Sequence, residues 1–257
     1  DDVPARRQLA FALRLLERAR EALAESRILA RQQPLALEAQ VMHADFAFEA
    51  KEASEGMRVL DAMAKLAPGD REVRVMRVLV LGRHGRGAQA AAEAEKALAA
   101  NPSNLHERLL AARAQQLAGK PGKAAAHLER AIEQVPDSLG PRVLLGQLHQ
   151  ETGRWAAAAA AWRETRARFP ENPGVTFAYA ECLERLGDLA EAESVLREVL
   201  RREPDNPTAL NFLCYLFANH GLRLEEAVTL VQRALSFDPD NGAYLDSLGW
   251  AYFRLAR

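Results

Sequence analysis

The sequence predicts an all-α solenoid built from tandem helical pairs, and three observations carry that prediction. Prolines stand at 34, 68, 102, 136, 170, 204 and 239, a ladder of period 34 that gains one residue at its last step. Small residues recur at two fixed phases of that ladder. Hydrophobic residues make up 49% of the chain but aromatics only 6%, and about 50 alanines account for the difference. Alanine is the best helix former, whereas strands favour β-branched and aromatic residues. Repetition at a period of 20–50 residues is the signature of stacked supersecondary units.

Setting each ladder proline at position 32 of a 34-residue unit divides the chain in order. Residues 1–36 form a degenerate first repeat or capping hairpin, with a single long helix as the alternative. Six units follow at 37–70, 71–104, 105–138, 139–172, 173–206 and 207–241, the last with one inserted residue. Residues 242–257 supply the first helix of a further unit. Within a unit, helix A is expected over positions 2–14 and helix B over 17–30. Position 8 is Ala10, Ala44, Ala112, Gly146, Ala180, Cys214 or Gly249, with Val78 the exception. Position 20 is Ala22, Gly56, Ala90, Ala124, Ala158, Ala192 or Ala227. These small side chains let helices A and B approach closely. Position 15 is glycine in five units (Gly85, Gly119, Gly153, Gly187 and Gly221), as a helix C-cap with positive φ requires. Proline at position 32 stops helix B. Pro4, Pro141, Pro173 and Pro207 fall in the first turn of helix A, where a missing N–H costs little.

The final helix, from Tyr244 onward, carries Leu245, Leu248, Trp250, Tyr252 and Phe253 over most of its circumference. A solenoid end needs a polar outer face. The expectation is therefore that the natural protein continues, or that a partner covers this helix.

The period of 34, the small residues at 8 and 20 and the proline at 32 resemble the tetratricopeptide repeat family across essentially the whole chain. The departures are the missing tryptophan at position 4 and a mixed position 27. The resemblance implies a right-handed superhelix whose A helices line a concave groove, with positions 2, 5, 9, 12 and 13 facing it. The implied partner-binding residues are Val75, Leu79, Leu109, Arg113, Val143, Gln147, Phe177, Glu181, Asn211, Tyr215, Asp246 and Trp250. For the aliphatic position-5 residues, packing between neighbouring A helices is the alternative, and for Trp250 it is a core residue laid bare by truncation. Chaperone-tail binding in this family needs Lys at position 5 with Asn at position 9, and no unit here has that pair.

Residues 207–257, through Leu210–Tyr215, Arg223–Ala227 and Leu245–Trp250, resemble the C-terminal repeats of bacterial proteins of this family. Some of those are outer-membrane lipoprotein adaptors of carboxyl-terminal processing proteases or envelope-assembly scaffolds. The resemblance implies a non-enzymatic scaffold or adaptor for a protein or peptide, in the bacterial periplasm at the outer membrane, with the cytoplasm as alternative. A lipid anchor upstream of residue 1 and oligomerisation through the ends fit the same picture. The competing reading is the repeat portion of a larger enzyme or secretion protein.

The remaining chemistry is sparse. With 34 basic and 35 acidic residues the net charge is −1, so a polyanion is not the expected partner. No apolar run reaches the ~18 residues of a membrane span. Arg outnumbers Lys 29 to 5, in keeping with a GC-rich bacterial genome. The six histidines are spread over five units and form no HExxH, and His84 and His220, both at position 14, read as helix-end residues favoured by the dipole. Cys182 and Cys214 sit at packing positions. Gly82–Gly87 is a turn without the Lys-Ser/Thr of a phosphate loop. No catalytic residue, metal site or cofactor is expected.

Overall fold

The computed structural model describes residues 2–256, which hold fifteen α-helices and no strand. They divide into two compact units, Asp1–Gln134 and Val135–Arg257. The first contains α1 (Val3–Leu15), α2 (Ala19–Gln32), α3 (Leu37–Glu49), α4 (Ala53–Leu66), α5 (Arg71–Arg83), α6 (Gly87–Ala100), α7 (Leu105–Leu117) and α8 (Pro121–Gln134). The second contains α9 (Leu139–Glu151), α10 (Trp155–Arg168), α11 (Pro173–Leu186), α12 (Leu189–Arg202), α13 (Pro207–His220), α14 (Leu224–Phe237) and α15 (Gly242–Leu255). Odd-numbered helices are A helices and even-numbered ones are B helices. Residues 3–32 are thus two helices and not one long one.

The two helix types are stopped by different chemistry. Every A helix that leads into a B helix ends with its position-15 residue left-handed. The position-16 N–H then folds back on the position-11 carbonyl, as Arg86 does to Leu81 at 2.8 Å and Asp188 to Leu183 at 2.8 Å. Five of these left-handed residues are the glycines at 85, 119, 153, 187 and 221. The other two are Glu17 at φ 59° and Lys51 at φ 67°, which hold the same conformation against the Cβ clash that disfavours it. B helices stop at the residue before the ladder proline. Gln33, Asn101 and Glu203 have φ of −128°, −143° and −127°, outside the helical region. Six of the eight A helices are opened by side-chain caps, α3 and α9 being the exceptions. Asp2, Asp70, Asn104, Asn172, Asn206 and Asn241 each accept a hydrogen bond from a first-turn N–H.

Positions 8 and 20 form the tight seam of each hairpin. Ala10, Ala44, Ala90, Ala158, Ala180 and Ala227 are wholly buried. Where one partner grows, its neighbour shrinks. A Cβ on Gly146 would lie 2.4 Å from the Trp162 ring, and one on Gly56 would lie 2.8 Å from the Phe48 ring. The seventh hairpin absorbs its extra residue in the turn. Arg223 takes φ 40° there and lays its guanidinium 4.2 Å from the centroid of the buried Phe217 ring. In α15 only Ser247 and Ala251 are buried, and Gly249 at position 8 faces open space.

Candidate functional site

In the first unit the A-helix face shows Val75, Leu79 and Leu109 half-buried and Arg113 exposed. Val75 packs against the edge of the core built by Leu60, Val78 and Leu81, so its side chain is both core margin and surface. Beside this row α1, α3 and α5 enclose an open hollow of about 450 Å3. Its floor is Phe11, Val41, Met42 and Phe46, with Phe11 set edge-on to Phe46 at 5.9 Å. Guanidiniums and carboxylates alternate on the rim, where Arg7 pairs with Glu38 at 3.2 Å and Arg83 with Asp45 at 2.9 Å. Sequence reasoning missed Arg7, Phe11 and Arg14 because the first 36 residues lack the turn glycine and match the repeat poorly. The signal was present, since these three occupy positions 5, 9 and 12 of that segment.

In the second unit the corresponding face carries Val143, Phe177, Glu181 and Asn211 half-buried, and Gln147, Tyr215, Asp246 and Trp250 exposed. Tyr215, on a helix whose opposite face is buried, is 41% exposed, and Trp250, on the largely exposed α15, is 38% exposed. Phe177 lies 6.5 Å from Phe212, and Trp250 stacks on Phe253 at 5.4 Å with the Arg254 guanidinium 5.5 Å from its ring. Polar groups fix this face. Gln150 donates to Glu181 at 3.0 Å, Asn219 donates to Glu184 at 3.0 Å, and Arg254 donates to the Asn219 carbonyl at 2.8 Å. Asn211 Oδ1 is enclosed and has no hydrogen-bond partner. None of the twelve residues expected on this face is fully buried.

Titratable groups elsewhere are engaged in structure. His84 lies 3.0 Å from Asp45, and His220 lies 3.3 Å from Glu184, each a carboxylate of the preceding repeat. Both also stand at the helix ends expected of them, as the cap of α5 and in the last turn of α13, and their rings clasp adjacent repeats as well. His127 meets Glu95 of the preceding repeat at 2.9 Å in the same manner, whereas His43 meets Glu55 of its own hairpin at 2.7 Å. Burial pushes the thiols of Cys182 and Cys214 up to about 12, and both cysteines are free. Burial, with the hydrogen bond to Glu191, raises Tyr179 to about 12. Among the described residues no three His, Cys, Asp or Glu side chains gather as a metal site needs, and no helix is long and apolar enough to cross a membrane.

A sequence profile of the tetratricopeptide repeat matches residues 75–138 and 143–207, and a second profile of the same repeat matches 116–161 and 187–251. No curated protein matches the chain. Among solved structures the chain is similar to YrrB, described as a TPR protein with an unusual peptide-binding site. The identity is 18% over 73% of this chain and 96% of that one, with a TM-score of 0.50. A tetratricopeptide repeat protein from Parabacteroides merdae is 11% identical over 97% of this chain and 98% of its own, at a TM-score of 0.48. MamA is 20% identical over 61% of this chain and 91% of its own, at 0.49. At these identities the likeness speaks to the fold alone.

Proposed function

The chain belongs to the tetratricopeptide repeat family, and from that premise we propose that it is a non-enzymatic scaffold that docks a segment of a partner protein on its A-helix face. The observation that carries the reading is the open row on α11, α13 and α15. Tyr215 and Trp250 stay well exposed there beside Phe177 and the fixed carboxylates Glu181 and Glu184. Rings that offer apolar area with few rotors, placed beside oriented polar groups, suit an extended or helical peptide. The orphaned Asn211 Oδ1 belongs to the same surface, where a donor from a partner would relieve a cost of roughly 1–3 kcal/mol. The likeness of residues 207–257 to bacterial adaptor repeats favours an envelope adaptor that presents a substrate to a protease, at the periplasmic side of the outer membrane.

The test is capture of partners from bacterial envelope and cytosol extracts by the chain and by a Phe177→Ala/Tyr215→Ala variant. The expected result is a protein bound by the first and lost by the second, at unchanged helical circular dichroism. Equal capture by both would move the site off this face. A partner from the envelope fraction would support the periplasmic version, and one from the cytosol alone would overturn it.

A further inference from the structure

On the side of the first unit where B helices lie, α2 and α4 bound a furrow of about 430 Å3 floored by α3. Arg27 and Arg31 stand one helical turn apart on α2, and Glu55 and Arg58 are three residues apart on α4, so each pair shares a face. Glu55 is the single carboxylate of the lining, and it is already engaged. Arg27 Nε donates to it at 2.7 Å, a second Arg27 nitrogen bonds its other oxygen, and His43 reaches it at 2.7 Å. Arg31 and Arg58 face the same furrow, are exposed, and have no carboxylate partner among the described residues. Between them the wall is apolar, made by Ala30, Val59 and Ala62.

In two later furrows the arginines are held by carboxylates. Between α4 and α6 the nearly buried Arg77 is held by Asp61 at 2.7 Å and by Glu93 at 2.6 Å. Between α10 and α12, Arg166 pairs with Glu198, and Arg202 pairs with Glu198 and Glu171. The furrow between α4 and α6 also holds exposed Lys65 and Lys96, so the first furrow differs in that its two unpaired cations are guanidiniums facing each other across an apolar wall.

We propose that this furrow is a second docking site, which takes an acidic peptide segment of a partner protein. Arginine forks bind carboxylates bidentately, and Arg31 and Arg58 would each take one from opposite walls. The apolar side chains interspersed in such a segment would rest on Ala30, Val59 and Ala62. The lining itself carries three arginines against the one carboxylate of Glu55, a local positive surplus that favours an acidic partner. Nucleic acid fits less well. The imidazole of His43 is the only ring in the lining, so bases have no stacking platform.

The experiment is fluorescence anisotropy of a labelled peptide of repeated Glu-Glu-Ala-Leu, titrated with the full chain. The expected result is saturable binding that weakens with added salt, as exposed charge pairs are screened. Arg31→Glu/Arg58→Glu should weaken it about tenfold or more, and Arg31→Gln/Arg58→Gln by less. Arg201→Glu on α12 should leave it unchanged, and so should Phe177→Ala/Tyr215→Ala, which separates this site from the A-helix face. Circular dichroism would show that each variant is folded. No saturable binding, or equal binding by the charge-reversed and native chains, would overturn the proposal. So would tighter binding of a single-stranded oligonucleotide or of phosphatidylserine vesicles than of the peptide.

Discussion

At position 15 a single atom separates the repeats that obey the family pattern from those that do not. Glycine reaches the left-handed region without penalty, whereas Lys51 and Glu17 are held there by the turn around them, with Glu52 N–H bonded to the Ala47 carbonyl at 2.8 Å and Arg18 N–H to the Leu13 carbonyl at 2.9 Å. Lys51→Gly should therefore stabilise the chain by about 0.5–1 kcal/mol, because relief of the Cβ clash outweighs the added freedom of the unfolded chain. Urea denaturation measures this, and a destabilised variant would mean that the left-handed turn is unstrained. Cysteine reactivity belongs to the same scale. Both thiols are buried and raised to about 12, so iodoacetamide should leave the folded chain unmodified and label Cys182 and Cys214 only on unfolding. Rapid labelling under native conditions would place at least one of them at the surface.

Hairpins depend on the seam between positions 8 and 20. Ala158 is wholly buried, in the same seam where Gly146 meets the Trp162 ring. Ala158→Leu should overpack it and cost on the order of 1–3 kcal/mol in a denaturant titration, and no loss would mean that the two helices do not meet there. Neighbouring hairpins are joined by charge. Arg27 on one B helix reaches Glu55 on the next, and Arg197 reaches Glu226 at 2.6 Å from the same two repeat positions, 25 and 19. The hydrogen bond from Arg27, helped by His43, holds Glu55 at about 2 in place of the ordinary 4.5, against the cost of burial. A carboxyl depressed in the fold contributes stability that is present above 4.5 and is lost as pH falls towards 2. Melting temperature should fall through that window, and Glu55→Gln should flatten the fall. An identical pH profile in the variant would show that the pair contributes nothing.

The helix pairs were legible in the sequence because proline, glycine and alanine each act locally, through φ, a missing N–H or a missing side chain. The ladder alone placed turns at Gly85, Gly119, Gly153, Gly187 and Gly221. The charge clasps were not legible, since whether His84 meets Asp45, 39 residues away, depends on how one repeat is set on the next. The A-helix face was read from repeat positions, and Tyr215 and Trp250 on it are exposed. The same reading passed over Arg7, Phe11 and Arg14. A repeat that lacks its glycine still places its positions 5, 9 and 12, and only the folded turn at Glu17 reveals that it does.

Across the whole molecule a net charge of −1 conceals a division. Residues 3–36 hold seven arginines and three glutamates, while residues 173–206 hold four arginines and eight acidic residues. The two stretches therefore differ in charge along the chain. The basic furrow belongs to the first, and the ring-bearing A-helix face, with Glu181 and Glu184 upon it, belongs to the second. Asn211→Leu should separate binding from folding on that face. Removing an enclosed, unpaired oxygen should leave stability equal or higher, while capture of the partner falls. A loss of stability would mean that Asn211 is a structural residue.

The most direct measurement of the central claim is site-specific photocrosslinking in bacterial extract. One chain would carry benzoylphenylalanine in place of Tyr215 on the A-helix face, and another in place of Arg163, exposed on the B helix α10. A scaffold that docks its partner on the A helices gives a discrete adduct from position 215 and none from 163. Adducts from 163 alone would contradict the account and place the partner on the opposite face of the hairpins.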